Sequence, residues 1–180
     1  SSRARDMKTR IIPGAVSSTT LRALILSEER SPPALKLTDV RGGPAPPLSI
    51  KAHGSGDPRF DQHVIGAGVY LYGAEASKLK PGADYMLGPT HIKTLPRALP
   101  STGLSLALAS CYHNGFKRDA DYLRVLQGAV GYNPLAAKFL VGDNLYIDVG
   151  PTIGSERTAF ESTADAYLHH FWQGGYAEVL

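Results

Sequence analysis

Apolar residues recur along this chain in two different rhythms. From residue 1 to about residue 100 they gather in short runs broken by proline and glycine: LRALILS at 21–27, ALKLTDV at 34–40, LSIKAHG at 48–54, HVIGAGVYLYG at 63–73 and YMLGPTHIKTL at 85–95. Eleven of the thirteen prolines lie in this half, and turns such as Gly42-Gly43-Pro44 and Lys80-Pro81-Gly82 separate the runs. Short strands at this spacing predict an antiparallel β-sandwich. Around LPRALPSTG, 95–103, the pattern changes. LSLALAS (104–110) alternates leucine with small residues, as a strand does, and RDADYLRVLQGAVG then puts Tyr122, Val125, Leu126 and Ala129 at helical spacing. AKFLVGD is a more continuously apolar strand, suited to burial on both faces. GSERTAFESTADAYLHHFWQGG follows as a helix: Ser155 caps it, Glu156 suits its first turn, Phe160, Ala164, Tyr167, Leu168 and Phe171 share one face, and Gly174-Gly175 ends it. Strand, helix, strand, helix predicts the opening of an α/β layer with parallel strands and a right-handed crossover. Two domains are therefore expected, a sandwich over 1–100 and the first part of an α/β domain over 101–180.

One segment sharpens the first expectation. SKLKPGADYML resembles the E–F corner of fibronectin type III and related immunoglobulin-like domains: apolar Leu79, a Pro-Gly turn, then Tyr85 opening the next strand. In those domains such a tyrosine folds back to bond the backbone of the corner. By contrast, GAGVYLYG, 66–73, imitates a phosphate-binding glycine loop only superficially, because it lies within a strand pattern and opens no helix.

Charge and cysteine content narrow the function classes. The 180 residues carry a formal net charge of +3, but Arg3, Arg5, Lys8, Arg10 and Arg22 crowd the start of the chain, which predicts a basic arm rather than a basic face. Nucleic-acid binding requires clustered Lys/Arg interleaved with exposed aromatics, and no such surface is evident. Cys111 is the one cysteine, so no intrachain disulfide forms. No apolar run approaches the eighteen residues of a membrane span, and a soluble protein is expected. The chain begins at Ser1 without a charged-then-apolar leader, so an export signal was either removed or never there.

Candidate chemistry falls at the two strand ends. Open α/β sheets bind ligands at the carboxyl ends of their strands. Cys111 follows the first of these strands and Asp143 the second. If the strands are neighbours, their ends lie about 5 Å apart, and Tyr146 can turn its phenol into the same volume. Thiolate, carboxylate and phenolate repel one another unless a cation sits between them. A Lewis-acidic metal resolves the repulsion by deprotonating the thiol and the phenol. A tyrosinate ligand points towards ferric iron rather than zinc.

LALASCYHNGF followed by KFLVGDNLYID resembles the opening of the D-type alkaline phosphatases, the PhoD-like metallophosphatases, which pair Ala-Ser-Cys after the first core strand with Gly-Asp-x-x-Tyr after the second. GDNLY is also similar to the Gly-Asp-Asn-x-Tyr of purple acid phosphatases. The resemblance implies that Cys111 and Tyr146 bind an iron and that Asp143 bridges it to a second, harder ion, calcium in the PhoD-like group. Asn144 is a further candidate ligand, to the second metal or the phosphate. His113 is a candidate hydrogen-bond donor to a phosphate oxygen or a leaving group. The implied reaction is hydrolysis of phosphate mono- or diesters by a metal-activated hydroxide. The group's N-terminal immunoglobulin-like domain agrees with the predicted sandwich, and its members are commonly exported, which implies a secreted or periplasmic protein.

The chain departs from that pattern in one respect. The group's Asp-Asp-His motif and its later Gly-Asp and His segments are not in these 180 residues. A second polypeptide or a further C-terminal segment is therefore expected to complete the core, and this chain is expected to be inactive alone. His169 and His170 are adjacent in a predicted helix, point about 100° apart and are poorly placed to share one ion. Asp148 has no assigned role. The alternative reading is a non-catalytic binding module, a fibronectin-like sandwich joined to an α/β domain in which Gly142-Asp143 merely ends a strand.

Overall fold

A computed structural model of the chain describes residues 9–101, 103, 105–109, 135–140, 164, 165 and 168. The chain divides into two compact units, Ser1–Leu99 and Pro100–Leu180.

In the first unit, alternation along the central strands builds the core, up to the end of β2, where Ile25, Leu26 and Ser27 are all buried. Strand β1 spans Thr9–Val16, β2 Thr20–Ser27, β3 Leu37–Asp39, β4 Leu48–Ala52, β5 Tyr70–Ser77, β6 Asp84–Leu87 and β7 Thr90–Lys93. Along β2, Leu21, Ala23 and Ile25 point inward while Arg22 is exposed; along β5, Tyr72, Ala74 and Ala76 point inward while Glu75 is exposed. Their antiparallel register sets Leu21 opposite Ala76, Ala23 opposite Ala74 and Ile25 opposite Tyr72. A slip by one residue would drive Arg22 and Glu75 into the core, so burial pins the register.

Two antiparallel sheets result, ordered β1-β2-β5-β4 and β3-β6-β7. If the seven strands are lettered A to G in chain order, the sheets are ABED and CFG, the order of immunoglobulin constant-type sandwiches. Side chains from both sheets form one hydrophobic cluster, with Leu21, Ile25, Tyr72 and Ala74 from the first and Leu37, Tyr85, Leu87 and Ile92 from the second. The predicted all-β sandwich is present.

The sequence reading needs three local corrections in this unit. First, the start of the chain is not simply a basic arm. Arg10 lies in β1 and Arg22 in β2, where its Nε sits 3.1 Å from Oε1 of its cross-strand partner Glu75. Pro13 and Gly14 disguise β1 as a turn. Proline is tolerated there because β1 is an edge strand whose register shifts between Pro13 and Val16. Arg3, Arg5 and Lys8 lie outside the described residues.

Second, the run 63–73 is not one strand. Helix α1, Pro58–Gly66, occupies its beginning, and β5 starts at Tyr70. Asp57 caps α1 by accepting the Arg59 N–H at 2.9 Å, and Pro58 fits the first turn, where its missing N–H has no partner to lose. Third, 85–95 is a hairpin, in which Gly88-Pro89 joins β6 to β7. Gly88 has φ +54°, and a Cβ there would also meet the Leu35 side chain at 3.1 Å. A two-residue hairpin loop needs such a residue.

In the second unit, β8 (Ser105–Ala109) and β9 (Leu135–Leu140) pair in parallel, as expected of the two strands, and the residues that connect them, 110–134, lie outside the described residues. In register, Leu106 pairs with Ala137, Leu108 with Phe139 and Ala109 with Leu140. Leu108 is 70% exposed. Ala164, Asp165 and Leu168 are helical, within the segment read as the second helix, and Ala164 is buried. The helical stripe of 118–131 and the cap at Ser155 lie outside the described residues. Among the described residues, no helix is long and apolar enough to cross a membrane.

Candidate functional site

Parallel pairing brings the carboxyl ends of β8 and β9 to one edge, with Ala109 opposite Leu140. Cys111 is two positions beyond the first of these residues and Asp143 three beyond the second. Cys111, His113, Asp143, Asn144 and Tyr146 themselves lie outside the described residues, as do Asp148, His169 and His170. The described structure thus brings together the two strand ends, and the side chains expected to act there lie beyond it. Among the described residues, no three His, Cys, Asp or Glu side chains are grouped to hold a metal.

The polar network that is described surrounds the E–F corner. Tyr85 is fully buried, and its hydroxyl oxygen accepts the Lys80 backbone N–H at 2.9 Å. This is the bond expected from Leu79, the Pro-Gly turn and Tyr85. Lys80 Nζ reaches across to Oδ2 of Asp39 at 2.9 Å, and Oδ1 of Asp39 accepts the Arg41 N–H at 2.9 Å. The Asp39 side chain is 3% exposed, against 60% for Lys80. The hydrogen bond from Lys80, followed by the one from the Arg41 backbone, holds the Asp39 carboxyl below the usual carboxylate range. The same partnership raises the Lys80 ammonium.

Thr94, also buried, donates to the Lys80 carbonyl at 2.7 Å and accepts the Ala83 N–H at 2.9 Å. Gly43 completes the packing, because a Cβ there would lie 2.9 Å from Lys80 Nζ and 3.0 Å from Asp39 Oδ2. Tyr85, Asp39 and Thr94 all find partners inside the fold. The network is therefore a clamp joining the end of β3 to the corner and to β7, with no buried group aimed at a ligand.

Other features carry less. An exposed hollow on the outer face of the first sheet, about 640 Å³, has the Arg22–Glu75 pair on its wall. Surface ion pairs of this kind contribute little. At the 66–73 segment, Gly66 ends α1, Gly68 has φ +76°, and the chain then enters β5. No helix opens there, so the segment is not a phosphate loop. Sequence reasoning missed a second cavity, of about 630 Å³, beside α1. It is assembled from four separated segments, and only α1 itself left a local signal, the Asp57-Pro58 cap. No known protein family, no curated protein and no solved structure matches this chain.

Proposed function

We propose that this chain supplies part of a binuclear metal site that hydrolyses phosphate esters, with Cys111 and Tyr146 binding ferric iron and Asp143 bridging to a second divalent ion, calcium. The observation that supports this reading is the parallel pairing of β8 with β9, Ala109 opposite Leu140. Two residues of extended chain reach at most about 7 Å and three about 11 Å. Covalent connection alone therefore keeps Cys111 and Asp143 near one strand edge, the edge at which such sheets bind ligands. The donor set suits a hard, strongly Lewis-acidic ion, which would neutralise a thiolate, a carboxylate and a phenolate at once.

When bound, a metal pair supplies water activation and stabilises the leaving oxygen. The chain's own residues hold and orient: Asn144 is positioned in sequence to contact the second ion or a phosphate oxygen, and His113 to donate a hydrogen bond to a phosphate oxygen or a leaving group. Three or four protein ligands do not fill two coordination shells, so the remainder would come from a further polypeptide segment. The exposed Leu108 supports a missing layer, because parallel sheets are normally covered on both faces.

The test is elemental analysis of native, untagged material, with iron and calcium counted per polypeptide and every copurifying chain identified. About one iron per complex, lost in Cys111→Ser while the fold is kept, supports the reading. No iron in either version sinks it and leaves the binding-module reading, which the closed ABED/CFG sandwich favours.

A further inference from the structure

We infer that the cavity beside α1 is a binding site for a small anionic molecule with an apolar, ring-sized body. It is open to solvent, like the hollow on the first sheet and of nearly the same volume, about 630 Å³, within the range of small-molecule sites, and what sets it apart is its lining. Four segments meet there: the chain leaving β2, the end of β4, helix α1 and the start of β5. Each wall is tied in place. The Tyr72 hydroxyl donates to the Glu29 carbonyl at 2.8 Å, fixing the chain that leaves β2. The His53 N–H donates to the Leu71 carbonyl at 2.9 Å, and Oδ1 of Asp61 accepts the Ser55 N–H at 2.9 Å. Val64, 1% exposed, anchors α1 from below. A site held this way is formed before any ligand arrives, so binding would not have to order it.

The lining has two characters. Tyr70, Leu71, Pro32 and Ile65 offer apolar surface, and Ile65 is 51% exposed although it belongs to a capped, anchored helix. At the same cavity stand Arg30 and His53, both exposed, and neither side chain has a hydrogen-bond partner among the described residues. Asp61, the acid of the set, already accepts a backbone N–H through one oxygen. Arg30 offers a permanently charged guanidinium and His53 a ring N–H to an anion, the second oxygen of Asp61 is the acceptor such a ligand would be oriented away from, and the apolar surface beside them suits a ring-sized body. The site lies wholly within the first unit and does not depend on the phosphoesterase reading.

The experiment is an amide chemical-shift titration of the full 180-residue chain with benzoate and with phenylphosphonate, neither of which a phosphoesterase hydrolyses. Benzyl alcohol and inorganic phosphate serve as the neutral and the purely anionic controls. The expected result is saturable movement of the His53, Val69 and Leu71 amides with both aryl anions and weak or no movement with either control. Arg30→Ala should weaken benzoate binding about tenfold, the size of one charge-assisted hydrogen bond. Ile65→Asp, at an exposed position, should abolish binding without changing the melting temperature by more than a few degrees. No shifts at millimolar benzoate, equal shifts with inorganic phosphate, or insensitivity to both substitutions would overturn the assignment.

Discussion

The ABED/CFG sandwich and the β8–β9 pair are both built of strands, yet they solve burial differently. In the sandwich, each inward side chain meets one from the facing sheet. Leu21, Ile25, Tyr85 and Leu87 are all at or below 1% exposure. The one charged group driven inward, Asp39, has hydrogen bonds to both oxygens. In the β8–β9 pair, two parallel strands offer four faces and edges to cover, and Leu108 is 70% exposed. Antiparallel hairpins can close a core with short connections, whereas a parallel sheet depends on layers brought in by long crossovers. The lesson is one of layers: in the first region each sheet buries its inner face against the other, whereas in the parallel pair Leu108 stays exposed among the described residues.

The sharpest way to break that comparison is at Tyr85. Tyr85→Ala should destabilise the sandwich by about 3–5 kcal/mol, through the cavity left behind and the unpaired Lys80 N–H. Tyr85→Phe, which loses only the hydroxyl, should cost about 1–3 kcal/mol. Urea denaturation, followed by hydrogen exchange of the β2 and β5 amides, checks both; near-neutral results would mean the corner is ornamental. Next, Leu21→Ala should cost about 2–5 kcal/mol, while Leu108→Ala should stay within about 0.5 kcal/mol. Equal penalties at the two sites would show that Leu108 is covered in solution and that the contrast between the regions is wrong.

A smaller effect should appear in acid. The Asp39 carboxyl is depressed by Lys80 and the Arg41 backbone, so its contribution is present above the unfolded carboxylate value near 4 and disappears as pH falls below it. Asp57, held at about 2 by the Arg59 side chain and backbone, loses its contribution over the window from about pH 4 down to about 2. Melting temperatures between pH 6 and 2 should therefore fall less steeply in Asp39→Asn than in the parent, and an unchanged slope would remove the clamp from the stability account. The least effect is at Lys78, a non-glycine residue with φ 62°. Lys78→Gly should gain about 0.5–1 kcal/mol by relieving that conformation; a loss would show that the lysine side chain packs favourably there.

The elements that could be read from sequence were those whose cue is local. LRALILS became β2 and LSIKA became β4, because alternation and flanking turns travel with the segment. The tyrosine corner was readable for the same reason, since Leu79, Pro81, Gly82 and Tyr85 all sit within seven residues. Strand β1 was obscured because Pro13 breaks a pattern that a neighbouring strand repairs, and α1 because its apolar content is too sparse to form a stripe over nine residues. At the candidate site, Cys111, Asp143 and Tyr146 could be singled out from spacing. The adjacency of the strands that precede them could only be assumed until β8 and β9 were seen to pair.

Sequence alone therefore determined the alternation of inward and outward residues in the sandwich, the bond from the corner backbone to Tyr85, and the two strands, β8 and β9, that precede Cys111 and Asp143 in the chain. Backbone sterics and side-chain periodicity act over a few residues and leave their mark there. Tertiary structure decided the ABED/CFG order, the Asp39–Lys80 clamp across 41 positions, and the cavity where Arg30, His53, Ile65 and Tyr70 converge. Those features depend on which distant segments share a volume, and that is settled by burying the whole apolar surface at once.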